Sequence, residues 1–174
     1  DLWGFGRRVI QGERPADIEK HLIYQIGALQ ALARSAGQTL QHVKTHGTLG
    51  IMANEDDELA LAVARAIKAV DPALIFIVMP GLGMERAGEQ LGLRMAREIY
   101  ADRAYTDNGN LVSRKLPGAI IHDAGAAAER VLRIIETGEL ITANGRRLRF
   151  PIDSICVHGD TPGAVGMAGE IRTR

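Results

Sequence analysis

Seven residues with chemically capable side chains fall just after segments that read as strands. Lys44 and His46 follow one such segment, Asp102 and Arg103 a second, and His158, Asp160 and Thr161 a third. An imidazole such as His46 or His158 can act as a general base or ligate a metal. Lys44 can stabilise developing negative charge, and Arg103 can pair with a carboxylate or a phosphate. Asp102 and Asp160 can orient an imidazole or a water. Thr161-Pro162 reads as an N-cap followed by proline at the first helical position, and a helix start of that kind favours an anion. Asp160 taken alone could equally cap the same helix.

The elements that position these residues follow from periodicity. Ile18, Leu22, Ile26, Leu29 and Leu32 recur at helical spacing within 14–36, with Pro15 at the start and Gly37 at the stop. A strand is expected over 40–44 and a loop over 46–55. Asn54 is expected to cap a second helix striped by Leu59, Val63, Ile67 and Val70 and ended by Asp71-Pro72. The apolar run 73–79 fits a strand buried on both faces. A helix over 84–91, a strand over 94–100 and a long polar loop over 101–122 come next. Asp123 caps a helix over 124–137, Asn144-Gly145 signals a two-residue type I′ hairpin, and 154–157 reads as a buried strand. The alternation predicts a parallel α/β architecture, a barrel or a doubly wound sheet, in one domain over 1–174. In such folds sites are built at the carboxyl ends of strands, so three strand ends are expected to deliver these groups towards one rim. His42 is expected to pack in the core.

Composition narrows the function classes. Lys plus Arg and Asp plus Glu are 21 each, so no net field invites nucleic acid or an anionic membrane. Arg146, Arg147 and Arg149 alternate with other residues as a solvated strand face would. No run approaches the roughly 20 apolar residues that span a bilayer. Cys156, the only cysteine, sits in an apolar run and reads as a buried, inert thiol. Its solitude points to a reducing, cytoplasmic setting. No G-x-x-x-x-G-K-[ST] or H-E-x-x-H occurs, nor any C-x-x-C or G-x-S-x-G. Gly81-Leu82-Gly83 lacks the third glycine of a dinucleotide fingerprint.

Five stretches carry a resemblance. Gly4-Phe5-Gly6-Arg7-Arg8, Tyr24-Gln25-Ile26-Gly27-Ala28-Leu29, His42-Val43-Lys44-Thr45-His46-Gly47, Ala101-Asp102-Arg103-Ala104-Tyr105 and the run from Cys156 to Val165 resemble, in order and spacing, the LamB/YcsF family. The resemblance implies an α/β fold, a parallel (β/α) barrel of the glycoside hydrolase/deacetylase type, incomplete in this chain. It implies that 1–174 is the C-terminal part, with an acidic motif and the first strands missing. One flank of the sheet is then expected to be open or covered by another chain, a homo-oligomer included.

The implied activity is that of a 5-oxoprolinase working with two partner subunits, in which 5-oxo-L-proline, ATP and water give L-glutamate, ADP and phosphate. Lys44, His46, Asp102, His158 and Asp160 are the expected catalytic residues, and Arg103 and Thr161 the expected substrate or phosphate contacts. A divalent metal would fall to His46 and His158. Where the family usually reads K-P-H-G-A-L-Y-N, this chain has Lys44-Thr45-His46-Gly47-Thr48-Leu49-Gly50-Ile51. Two other readings fit these residues: a metal-dependent amide hydrolase or deacetylase without ATP, and a non-catalytic lactam-binding subunit.

Overall fold

Pro15 opens the first helix, α1 (Pro15–Ser35), where its missing N–H leaves no bond unmade. The computed structural model describes residues 6–159 and 163–174. Its chain divides into two compact units, Asp1–Ala96 and Arg97–Arg174.

In the first unit, β1 (His42–Lys44), α2 (Thr48–Ala53), α3 (Asp57–Val70), β2 (Ile75–Val78) and α4 (Gly83–Leu91) follow α1. β1 and β2 pair in parallel, with Lys44 beside Ile77. The centre of this unit is α3, whose Leu59, Ala60, Val63, Ala64 and Ile67 are buried against Ile18 and Ile26 of α1, Phe76 and Val78 of β2, and Met84 and Ala87 of α4. Each large apolar side chain taken out of water there contributes about 1.5–3 kcal/mol. The expected α1 stripe is buried only in part: Leu29 and Leu32 remain 55% and 67% exposed. β2 alternates between fully and partly buried positions, so only the face carrying Phe76 and Val78 is sealed.

Two expectations change in this unit. Residues 48–53 form α2 where a loop was expected, and Asn54 becomes the end of α2. The cap of α3 is therefore Asp56, whose Oδ1 accepts from the N–H of Leu59 at 3.0 Å. Asn54 turns inward instead, with its Nδ2 3.4 Å from the Met79 sulfur. His42, expected in the core, is exposed.

β3 (Met95–Tyr100) leads into the second unit, which adds α5 (Ala124–Thr137), β4 (Glu139–Ile141), β5 (Arg147–Arg149), β6 (Ser154–Cys156) and α6 (Ala164–Thr173). β3 and β6 pair in parallel, in the register Glu98–Ser154, Ile99–Ile155, Tyr100–Cys156. Asp123 caps α5 as expected, accepting from the N–H of Ala126 at 2.7 Å. α5 and α6 share a small core of Ala101, Ala127, Val131 and Met167. β6 is partly rather than fully buried, Cys156 included.

The hairpin departs from the type I′ expectation. Glu139 faces Arg149 and Ile141 faces Arg147, and Thr142 N–H donates to the Arg146 carbonyl at 2.9 Å. Three residues, 143–145, therefore make the turn, with Gly145 at φ 83 in the left-handed position that three-residue hairpins require. Arg147 and Arg149 lie on the exposed face and both pair with Glu139. Neither unit closes a barrel by itself. Among the described residues no helix is long and apolar enough to cross a membrane.

Replacing Asp56 with alanine should cost about 1 kcal/mol by removing the cap of the central helix. Urea unfolding measures this, and an unchanged midpoint would refute the cap.

Candidate functional site

The β3–β6 register decides what stands beside what. Tyr100 is level with Cys156, and the pairing runs one step further, with Ala101 N–H donating to the Cys156 carbonyl at 2.9 Å. Two residues beyond the level pair lie Asp102 on one strand end and His158 on the other. Their side chains meet: Nδ1 of His158 lies 2.8 Å from Oδ1 and 2.9 Å from Oδ2 of Asp102. The Asp102 side chain is 1% exposed and that of His158 21%. A buried carboxylate is thus joined to an imidazole that reaches solvent. The Tyr100 ring stacks on the imidazole, with centroids 5.3 Å apart and planes 19° from parallel.

An ionised carboxylate only accepts hydrogen bonds, so Nδ1 must carry the proton. In the neutral ring Nε2 then holds the lone pair, as a general base or metal ligand requires. Among the described residues, no three His, Cys, Asp or Glu side chains gather as a metal centre would need.

A second layer fixes the end of β3. Arg130 of α5 donates to the carbonyls of Tyr100 and Ala101 at 3.1 and 3.2 Å and lies 5.3 Å from the centroid of the Tyr105 ring. The Tyr105 hydroxyl accepts from the Tyr100 N–H at 2.7 Å. Burial lowers the pKa of the Arg130 guanidinium, against the opposing pull of Tyr105 and, more weakly, Asp102. Sequence reasoning passed over Tyr100 and Arg130. Tyr105 was visible only as the last residue of a family motif, and Arg130 carries no signal beyond lying on the same helix as the buried Val131.

Arg103, expected to contact substrate or phosphate, is engaged within the protein. It is 2% exposed, and its guanidinium donates to the carbonyls of Val112 at 2.6 Å and Ala119 at 3.3 Å. Burial lowers its pKa, and the nearby charge of Arg114 adds to that. Arg103 therefore ties the loop after β3 to the strand, with Ile121 N–H donating to the Asp102 carbonyl at 2.8 Å.

The other two candidates belong to the first unit. Lys44 ends β1 half-buried, and His46 follows it exposed. Both line a cleft of about 1060 Å³ shared with Arg8, Gln25, Leu40 and His42. Gly50 and Ile51 lie in α2. A Cβ on Gly50 would stand 2.8 Å from the Thr45 hydroxyl. Asp160 and Thr161 lie outside the described residues.

Burial also raises the pKa of the Tyr105 phenol well above its ordinary value. A raised value leaves stability intact below the unfolded-state pKa near 10 and removes it as pH climbs past that point. Ultraviolet titration of the phenols should show one component that ionises only with unfolding, and Tyr105→Phe should abolish it. A Tyr105 component that titrates reversibly in the folded protein would contradict this.

Comparison with known proteins extends the picture. The family model described as the LamB/YcsF family matches residues 1–174. A Rhodopseudomonas palustris (strain BisB5) protein, named as the A subunit of 5-oxoprolinase, is 53% identical over 172 residues, covering 99% of this chain and 68% of the relative. A Nitrobacter hamburgensis protein of the same name is 51% identical over 172 residues, again covering 99% and 68%. The crystal structure of the lactam utilization protein from Thermus thermophilus superposes with a TM-score of 0.87 at 39% identity, over 99% of this chain and 68% of that one. On this profile match, these identities and this shared fold, the chain belongs to the LamB/YcsF family.

Proposed function

We propose that the chain is a cytoplasmic subunit of an ATP-dependent 5-oxoprolinase and contributes the water-activating base to the opening of 5-oxo-L-proline. The observation that carries the reading is the Asp102–His158 pair, a buried carboxylate holding the imidazole by Nδ1. The names of its relatives, a 5-oxoprolinase component and a lactam utilization protein, support the substrate class.

A lactam is a resonance-stabilised amide, so opening it needs an activated carbonyl carbon and a positioned water. In this proposal the carbonyl oxygen takes the terminal phosphoryl group of ATP, leaving ADP. Nε2 of His158 removes a proton from water as the oxygen attacks the carbon, and Asp102 stabilises the imidazolium that forms. The C–N bond breaks as the ring nitrogen takes up the proton, which leaves an acyl phosphate on the opened chain, and a second water hydrolyses it to glutamate and phosphate. Lys44 stabilises negative charge during this sequence, and His46 supplies a second imidazole. Two partner subunits complete the enzyme.

His158→Ala should lower 5-oxoproline-dependent phosphate release on the order of 10²–10⁴-fold in the protein assembled with its partner subunits. Asp102→Asn should do so comparably, because an amide no longer dictates which ring nitrogen is protonated. Thermal unfolding run alongside keeps loss of fold apart from loss of chemistry. Near-wild-type turnover by a folded His158→Ala protein would reject the base and favour a non-catalytic lactam-binding role.

A further inference from the structure

Two backbone segments of the first unit cross beside His46 more closely than side chains allow. Gly47 has φ 64 and ψ −129, and a Cβ built on it would stand 2.3 Å from the carbonyl oxygen of Gly6. Gly6 has φ 69, and a Cβ there would stand 2.7 Å from Nδ1 of His46 and 3.3 Å from its carbonyl oxygen. The same Gly6 carbonyl accepts from the N–H of Thr48, the first residue of α2, at 2.7 Å. Among the described glycines, Gly6 is the one whose missing side chain would meet an imidazole.

We propose that Gly6 is a positioning residue for His46. Its bare α-carbon leaves the space that the imidazole occupies, and its carbonyl clamps the turn from β1 into α2 from outside. His46 is exposed, so burial does not choose its direction. The backbone at Gly6 forms one wall against the ring, and the Gly6–Thr48 bond keeps that wall in register with the turn. Gly47 makes the crossing feasible because no β-carbon fits between the segments. The inference rests on the reading of His46 as a residue of the reaction and adds what aims it.

Gly12 supplies the control, with φ 75 and nothing within 4 Å of a built Cβ. Gly6→Ala and Gly12→Ala both force alanine into a left-handed conformation, but only the first reaches His46. Three quantities are measured on each: the thermal midpoint, the His46 ring resonances (assigned with His46→Gln), and kcat and KM for 5-oxoproline-dependent phosphate release with the partner subunits. Both variants should lose thermal stability, Gly6→Ala the more because its Cβ also meets His46. Gly6→Ala alone should shift the His46 resonances and lower kcat by roughly ten- to a hundredfold, the scale of a misplaced reacting group. Unmoved resonances in Gly6→Ala, or equal movement in both variants, would overturn the proposal.

If Gly6→Ala does not fold, His46→Ala is added to it. Restored folding in the double variant locates the clash at the imidazole and supports the proposal, whereas no restoration overturns it. Full turnover in His46→Gln would reject the catalytic reading of His46, while the resonances would still decide whether Gly6 aims the ring.

Discussion

A carboxylate taken out of water loses several kcal/mol of hydration, and a fold that buries one must supply partners or keep it neutral. Asp102 is such a group, with its side chain 1% exposed. Its partner arrives on a different strand, 56 residues later in the chain, and the parallel register of β3 with β6 brings the two strand ends level. A slip of one residue would turn Asp102 and His158 to opposite faces of the sheet. The register therefore carries both the electrostatic solution and the chemistry, and whatever holds β3 and β6 in step holds the pair.

Several contacts share that task, and they explain residues whose presence is otherwise obscure. Ser154 donates to Glu98 at 3.0 Å at the far end of the paired segment, and Asp153 accepts from the Arg97 N–H at 2.8 Å just before it. At the near end, Arg130 and Tyr105 occupy the backbone groups of Tyr100 and Ala101 that the sheet leaves over. Arg103 then turns back to bind the carbonyls of the following loop. The side chains of Arg103 and Arg130 thus donate to backbone carbonyls within the protein. Arg130 also sets a positive charge near Asp102, which eases the burial of its negative one.

How much of this was legible depended on the range over which each feature is determined. The bounds of α1 and the Asp123 cap of α5 rest on neighbours three or four residues away, and the sequence shows them. The cap of α3 was misplaced by two residues because Asn54 and Asp56 are both good cap types. What distinguishes them is α2, a six-residue helix with no strong periodicity of its own. Asn144-Gly145 invites a two-residue turn, but the Glu139–Arg149 and Leu140–Leu148 pairs put both apolar side chains in register and leave three residues for the turn. Asp102 and His158 were each recognisable as strand-end residues. Their contact was not, because it depends on a register between strands far apart in the chain. Arg103 shows the limit most sharply. Its residue type suits phosphate binding, and its burial and its two loop-carbonyl partners have no local signal in the sequence.

The first unit meets a different constraint, that of space, at the turn after β1. Gly6, Gly47 and Gly50 all sit where an added β-carbon would approach within 3 Å of another group, and each of those groups belongs to the segment from Gly6 to His46. At position 50 the neighbour is the Thr45 hydroxyl, so a side chain there would have to displace Thr45 from beside Met84, whose sulfur lies 3.6 Å from that hydroxyl. The family usually reads proline and tyrosine where this chain has Thr45 and Gly50. Proline has no hydroxyl to collide with a β-carbon opposite it, whereas threonine does. The turn that carries Lys44 and His46 therefore has Thr45 where it stands because position 50 carries no β-carbon.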